Sequence, residues 1–229
     1  MKAIIFDMDG VLIDSEPLHV LADSQAFQKL GIELPEGYLD KYVGVSDSAM
    51  WKEIITEFDI EKDLKEILNM QLSTKMKLLK KSSLTAIDGI KELLQDLYSR
   101  NIPIAVASSS PTIFIKTVLK KIRLEKYFSL IVSGEDVRNG KPEPDIFLKT
   151  AEILGFAPED CVVIEDSKNG VIAAKRASMK CIGYAHADSA KQDVSKADLI
   201  VSSIRDLSIE SIDKIENKQI YKKFEQNIE

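Results

Sequence analysis

The stretch Ala3-Ile4-Ile5-Phe6-Asp7-Met8-Asp9-Gly10 constrains this chain more than any other. Ala3 to Phe6 is a continuous apolar run, the pattern of a strand buried on both faces of a parallel sheet. Packing gives such a strand no reason to end in Asp7 and Asp9, because an unpaired buried carboxylate is expensive. Side chains two apart on an extended segment point the same way, so both carboxylates converge just past the strand's carboxyl end. Gly10 lets the backbone turn there. Two carboxylates with one target suit a cation, a proton-transfer pair, or both. A plain Asp-Gly turn is the alternative reading.

After Asp14-Ser15-Glu16-Pro17 the pattern becomes helical. Leu18, Leu21, Ala22, Ala26, Phe27 and Leu30 share a face, and Gly31 stops the helix. A second helix starts at Ser46 and buries Met50, Trp51, Ile54, Ile55 and Phe58. A third spans 61–81, with Leu64, Ile67, Leu68 and Leu72 on its apolar side. Its Lys75, Lys77, Lys80 and Lys81 read as a solvated helix end suited to the dipole, with an anion-drawing patch as the alternative. No strand is expected between residues 16 and 84.

From residue 85 strands and helices alternate. Strands are expected at 104–107, 130–132, 161–164, 181–184 and 199–201. Asp88 opens a helix carrying Ile90, Leu93, Leu94 and Leu97 at helical spacing. Ser110-Pro111 reads as a cap followed by proline at the first helical position, ahead of Ile115, Val118, Leu119 and Ile122. Lys141-Pro142-Glu143-Pro144 is a rigid loop leading into a helix with Phe147, Ala151 and Leu154. The tail from Lys214 reads as a charged, weakly amphipathic helix. Repeated β-α-β units imply a doubly wound, Rossmann-like parallel sheet, in which ligands bind at the carboxyl strand ends. The expected architecture is therefore α/β: a core of residues 1–15 and 85–229, with 16–84 inserted over the ligand edge as an α-helical cap.

The chemistry-bearing residues collect at that edge: Asp7 and Asp9, Ser108 in Ser108-Ser109-Ser110, Lys141, and Glu165-Asp166. Lysine and hydroxyl donors suit the oxygens of a phosphoryl group. The carboxylates would repel that group unless a hard cation lay between them, and Mg²⁺ fits such a site. Asp7, already ionised at neutral pH, suits a nucleophile; Asp9 suits a proton donor if its surroundings raise its pKa. Taken singly, Ser108 reads equally as a turn residue, Lys141 as a surface lysine and Glu165-Asp166 as a helix cap.

In order, Asp7-Met8-Asp9-Gly10, Ser108 after an apolar strand, Lys141-Pro142-Glu143-Pro144 and Glu165-Asp166-Ser167 resemble the four motifs of the haloacid dehalogenase superfamily. The helical insertion resembles that superfamily's cap. Residues 6–19, through Pro17-Leu18-His19, resemble the β-phosphoglucomutase and sugar-phosphate phosphatase branch. The resemblance implies Asp7 as nucleophile forming an aspartyl-phosphate. Asp9 would be general acid and base, its main-chain carbonyl also binding Mg²⁺. Ser108, with Ser109 beside it, and Lys141 would hold the phosphoryl group; Asp166 and Glu165 would bind the metal. His19 matches a cap histidine that touches substrate or Asp9, though a half-buried helix position explains it equally. Ser15 and Glu16 fall at the hinge.

One departure bears on activity. The loop resembling Gly44-Val45-Ser46 is followed in the mutases by an arginine that grips a second phosphate. Here Asp47 follows, and a mutase cap lysine falls near Met70, with Lys75 a turn further on. An acidic residue repels a second phosphate by a few kcal/mol when desolvated. A phosphatase acting on a small phosphorylated sugar or polyol is the expectation, with a β-phosphoglucomutase-type isomerase as the alternative. A receiver-type phospho-acceptor is disfavoured by Asp9 and by the large insertion.

At 229 residues, one large domain or a domain with an insertion is expected. A net charge of -6 and a pI near 5.2 argue against nucleic acid as a partner. No apolar run approaches the roughly 18–20 residues of a membrane span, and no signal peptide is apparent. Cys161 and Cys181 read as buried, reduced thiols. A cytoplasmic monomer acting on a small phosphorylated metabolite is the expectation.

Overall fold

Every residue of β1 (Ala3–Phe6) is buried, and its side chains divide between two cores. Ile4 and Phe6 join one apolar cluster, while Ala3 and Ile5 join another on the opposite face. That alternation, with no polar residue in the strand, is what a central strand covered on both faces requires. The computed structural model describes residues 1–185 and 192–215. The expected helix in the C-terminal tail falls almost wholly outside them.

Five further strands complete the sheet: β2 (Ile104–Ser108), β3 (Leu130–Ser133), β4 (Cys161–Glu165), β5 (Lys180–Tyr184) and β6 (Leu199–Val201). All pairings are parallel, in the order β3-β2-β1-β4-β5-β6. Strand order reverses at β1, whose Ile4 pairs with Ile104 on one side and Val162 on the other. A crevice opens at such a reversal, beyond the carboxyl ends of the strands. Asp7 stands at its mouth.

The main helices are α1 (Glu16–Leu30), α2 (Asp47–Glu57), α3 (Leu64–Lys81), α4 (Ile90–Ser99), α5 (Thr112–Lys121), α6 (Asp145–Leu154) and α7 (Lys168–Arg176). The last four flank the sheet. The first three form a separate unit whose cluster includes Phe27, Trp51, Ile54 and Ile67. Phe27 and Trp51 stack at 4.7 Å between ring centroids. Ser46 caps α2 by accepting from the Ala49 amide, 3.3 Å away. The unit joins the sheet domain through two adjacent segments, where the Ile87 amide donates to the Leu12 carbonyl (2.9 Å).

Several local expectations fail for physical reasons. Leu21 faces solvent, at 46% exposure. Helix α3 begins at Leu64 because the Asp63 carboxylate accepts from the Lys65 amide and fixes the start there. Asp88 does not open α4; it pairs with Arg205, and Gly89 in the left-handed region starts the helix. Pro111 is the residue before α5, not its first turn, which frees Ser110 for another role. Lys77, Lys80 and Lys81 are exposed as expected, but Lys75 is buried. Both cysteines are buried and unpaired, and burial pushes the Cys161 thiol up to about 11. Among the described residues no helix is long and apolar enough to cross a membrane.

Candidate active site

Lys141 brings the separate motifs together. Its ammonium lies 2.5 Å from Asp7 Oδ1, 2.5 Å from Glu165 Oε1 and 3.3 Å from the Ala107 carbonyl. These partners end β1, β4 and β2, so one lysine ties three strand ends. Lys141 is 2% exposed, and only its opposite charges make that burial tolerable. Burial alone would lower its pKa; Asp7 and Glu165 override this and hold it charged beyond the ordinary lysine range. The other Glu165 oxygen accepts from the amides of Asp166 and Ser167 and from the Ser167 hydroxyl, at 3.0–3.1 Å. Glu165 is thereby fixed from both ends.

Asp7, Glu165 and Asp166 are all buried, with one carboxylate oxygen of each within 4.8 Å of the others. Burial pushes Asp7 well above its ordinary range; Lys141 opposes this, while Glu165, Asp9 and Asp166 add to it. One ammonium does not balance three buried carboxylates. The donor set is all oxygen, which suits a hard divalent cation, and the negative excess fits one. Two glycines make room for the cluster. A Cβ on Gly10, whose φ is +79°, would sit 1.9 Å from Asp166 Oδ2. A Cβ on Gly170 in α7 would sit 1.8 Å from Glu165 Oε1.

Asp9 turns to a different set of partners. Its Oδ1 accepts from the Ser15 hydroxyl (2.6 Å) and lies 3.0 Å from His19 Nε2. Its Oδ2 accepts from Ser110 (2.8 Å) and Ser108 (3.2 Å). Burial pushes this carboxyl upward, but His19 and the Ser15 and Ser110 hydroxyls prevail and hold it below the ordinary carboxylate range. His19 sits on α1 with its ring 5.9 Å from that of Phe114 on α5. The helical unit therefore touches Asp9 directly.

It also touches the sheet domain through the loop before α2. The Ser109 hydroxyl donates to the Gly44 carbonyl (2.8 Å), and Asn169 Nδ2 donates to the Val43 carbonyl (2.9 Å). A cavity of about 880 Å³ lies between the two units, lined by Asp7, Asp9, His19, Ser109 and Asp166 among others.

The structure thus gathers Asp7, Asp9, Ser108, Lys141, Glu165, Asp166 and His19 at one edge. Ser109 lies in the cavity wall, its hydroxyl engaged by the Gly44 carbonyl. Sequence reasoning missed Ser110, read as a helix cap, and Gly170. A glycine in the first turn of α7, where it weakens a helix, was the available signal for the second.

The model of the haloacid dehalogenase-like hydrolase family matches residues 4–184. A phosphorylated carbohydrates phosphatase of Thermotoga maritima is 37% identical over 187 residues, covering 81% of this chain and 86% of that protein. A beta-phosphoglucomutase of Bacillus subtilis is 31% identical over 216 residues, 92% and 93% of the two chains. The crystal structure of a beta-phosphoglucomutase from Clostridium difficile superposes with a TM-score of 0.85 at 28% identity, over 96% of this chain and 99% of that one. With its motifs assembled at one strand edge and matched along most of its length, the chain belongs to the haloacid dehalogenase-like hydrolases.

Proposed function

We propose that this protein is a Mg²⁺-dependent phosphatase that hydrolyses a small phosphorylated sugar or polyol through a phosphoryl group carried on Asp7. The observation that carries this reading is the division of labour between the two aspartates. Asp7 is locked to Lys141 among the metal-competent carboxylates, while Asp9 is held apart by hydroxyls and an imidazole.

An Asp7 oxygen attacks phosphorus in line, and the bond to the leaving alkoxide breaks. Lys141, with Ser108, steadies the non-bridging oxygens, its charge compensating what builds up on them. The leaving oxygen takes a proton from Asp9. Because Asp9 is ionised here, it must take up that proton before the attack, and His19, at 3.0 Å, is placed to supply it. Water then attacks the phosphoryl group on Asp7 and gives its proton to Asp9, releasing phosphate and restoring Asp7. As an ionised carboxylate bonded to four neighbours, Asp9 here has the form needed for the second half-reaction. Asp7, Asp166 and Glu165, with the Asp9 carbonyl, would hold Mg²⁺, which offsets the negative charge of phosphate and keeps Asp7 ionised. The 16–84 unit acts as a cap, opening for substrate and closing to exclude water, with hinges at 14–17 and 82–86.

Phosphate release from a panel of sugar and polyol phosphates, with Mg²⁺ and with a chelator, tests the reading. Metal-dependent release supports it. β-Glucose 1-phosphate, primed with its bisphosphate, would yield glucose 6-phosphate without net phosphate release from a mutase, and that result would overturn it.

A further inference from the structure

The cavity between the two units is one-sided in charge. Among the described residues that line it there is no lysine or arginine, and His19 is the one basic side chain. Its helical wall presents Asp23 of α1 and Asp47 of α2. Asp23 lies four residues beyond His19, so it sits on the same helix face about 6 Å further from Asp9. Asp47 is the first residue of α2, where free helix amides would otherwise favour a bound anion. Its own carboxylate puts a fixed negative charge there instead.

Behind the two aspartates stand Lys75 and Gln71 of α3. Lys75 Nζ lies 2.9 and 2.8 Å from the two Asp47 oxygens, and its side chain is 2% exposed. That charge is spent on Asp47 and does not reach the cavity. Gln71, 1% exposed, donates from Nε2 to Asp23 and, at 3.4 Å, to Asp47. Its buried Oε1 has no hydrogen-bond partner. The cluster therefore holds more acceptors than donors. Gln71 itself does not line the cavity, but the Asp23 and Asp47 carboxylates do, and as acceptors they suit a ligand that brings hydroxyl hydrogens, not another anion.

We propose that Asp23 and Asp47 form a subsite for the uncharged, hydroxyl-bearing tail of a phosphomonoester, which excludes substrates carrying a second phosphate or a carboxylate. This rests on the phosphatase reading above and narrows it to monophosphates of neutral polyols and sugars. Asp23 and Asp47 accept from tail hydroxyls, while Lys75 and Gln71 hold the two carboxylates in place.

The test compares kcat/KM for a hexitol monophosphate, the corresponding terminal bisphosphate and the aldonate phosphate of equal length, with acetyl phosphate as a tail-free substrate. The neutral hexitol phosphate is expected to lead both anionic-tailed compounds by about 100-fold, as a desolvated like-charge contact implies. In Asp23→Asn and in Asp47→Asn that lead should shrink by about tenfold each. A ratio measured within one preparation is independent of the folded fraction. Asp23→Asn, which keeps the Lys75–Asp47 pair, carries the test if Asp47→Asn fails to fold. Equal or faster turnover of the bisphosphate, or an unchanged ratio in Asp23→Asn, overturns the subsite. No phosphate release from any substrate, acetyl phosphate included, instead refutes the phosphatase reading and the subsite with it.

Discussion

Two buried lysines serve the two walls of one cavity, and they are built differently. Lys141 sits among strand ends, with partners Asp7 and Glu165 whose side chains are 8% and 0% exposed. Every oxygen of Glu165 is occupied, and the whole arrangement is held by a sheet. Lys75 sits among helices, and its partner Asp47 is 23% exposed to the cavity. Beside it the Gln71 Oε1 lacks a partner. The first wall is buried and tied at several points, as the phosphoryl transfer proposed above demands of groups that must be placed before the reaction. The second is open to the cavity at Asp47, as the tail subsite proposed above requires. On the function and subsite proposed above, the same ionic pairing serves chemistry on one side and selection on the other.

The sharpest way to break this comparison is to remove the proposed nucleophile, Asp7. Asp7→Asn should cut phosphate release by about 10⁴-fold or more, since loss of a nucleophile removes the covalent route. Persistence of more than about a hundredth of the activity would move the chemistry off this wall. Next comes the contrast between the lysines. Lys141→Met strands two buried carboxylates and should cost about 3–5 kcal/mol in urea unfolding. Lys75→Met leaves Asp47 able to meet water in the cavity and should cost less, about 2 kcal/mol. Equal losses would erase the distinction between a closed and an open wall. Gly170→Ala should push the Glu165 carboxylate out of place and weaken Mg²⁺ binding by about 10–100-fold, measured by titration calorimetry.

The smallest effect concerns Asp9. Its depressed pKa means that it contributes stability above about pH 4, lost as pH falls through the lower folded value. His19→Ala removes the strongest of the groups that hold it down, leaving Ser15, Ser108 and Ser110. The acidic limb of the pH–rate profile should then move up by about one unit. An unmoved limb would detach His19 from Asp9.

These differences also explain which parts were legible in the sequence. Asp7, Lys141 and Glu165 follow apolar strands or a proline-framed loop, so local pattern placed them at one edge. The distal wall carries no such pattern. Lys75 and Asp47 are 28 residues apart on different helices, and Lys75 reads as one of four lysines near a helix end. Ser110 was misread for a related reason: Ser-Pro is a true helix-start signal, but Pro111 takes that role and Ser110 turns back to Asp9. Asp47 was legible as a departure from the mutase pattern. Its pairing with Lys75 was not, because ion pairs between helices leave no periodic trace.

The central claim is that the phosphoryl group passes through Asp7. Rapid acid quench during turnover of a labelled polyol phosphate, followed by borohydride reduction and peptide mapping, tests it most directly. The account predicts homoserine at position 7 in the wild type and none in Asp7→Asn. Steady phosphate release with an unmodified Asp7, or label fixed on another residue, would contradict it.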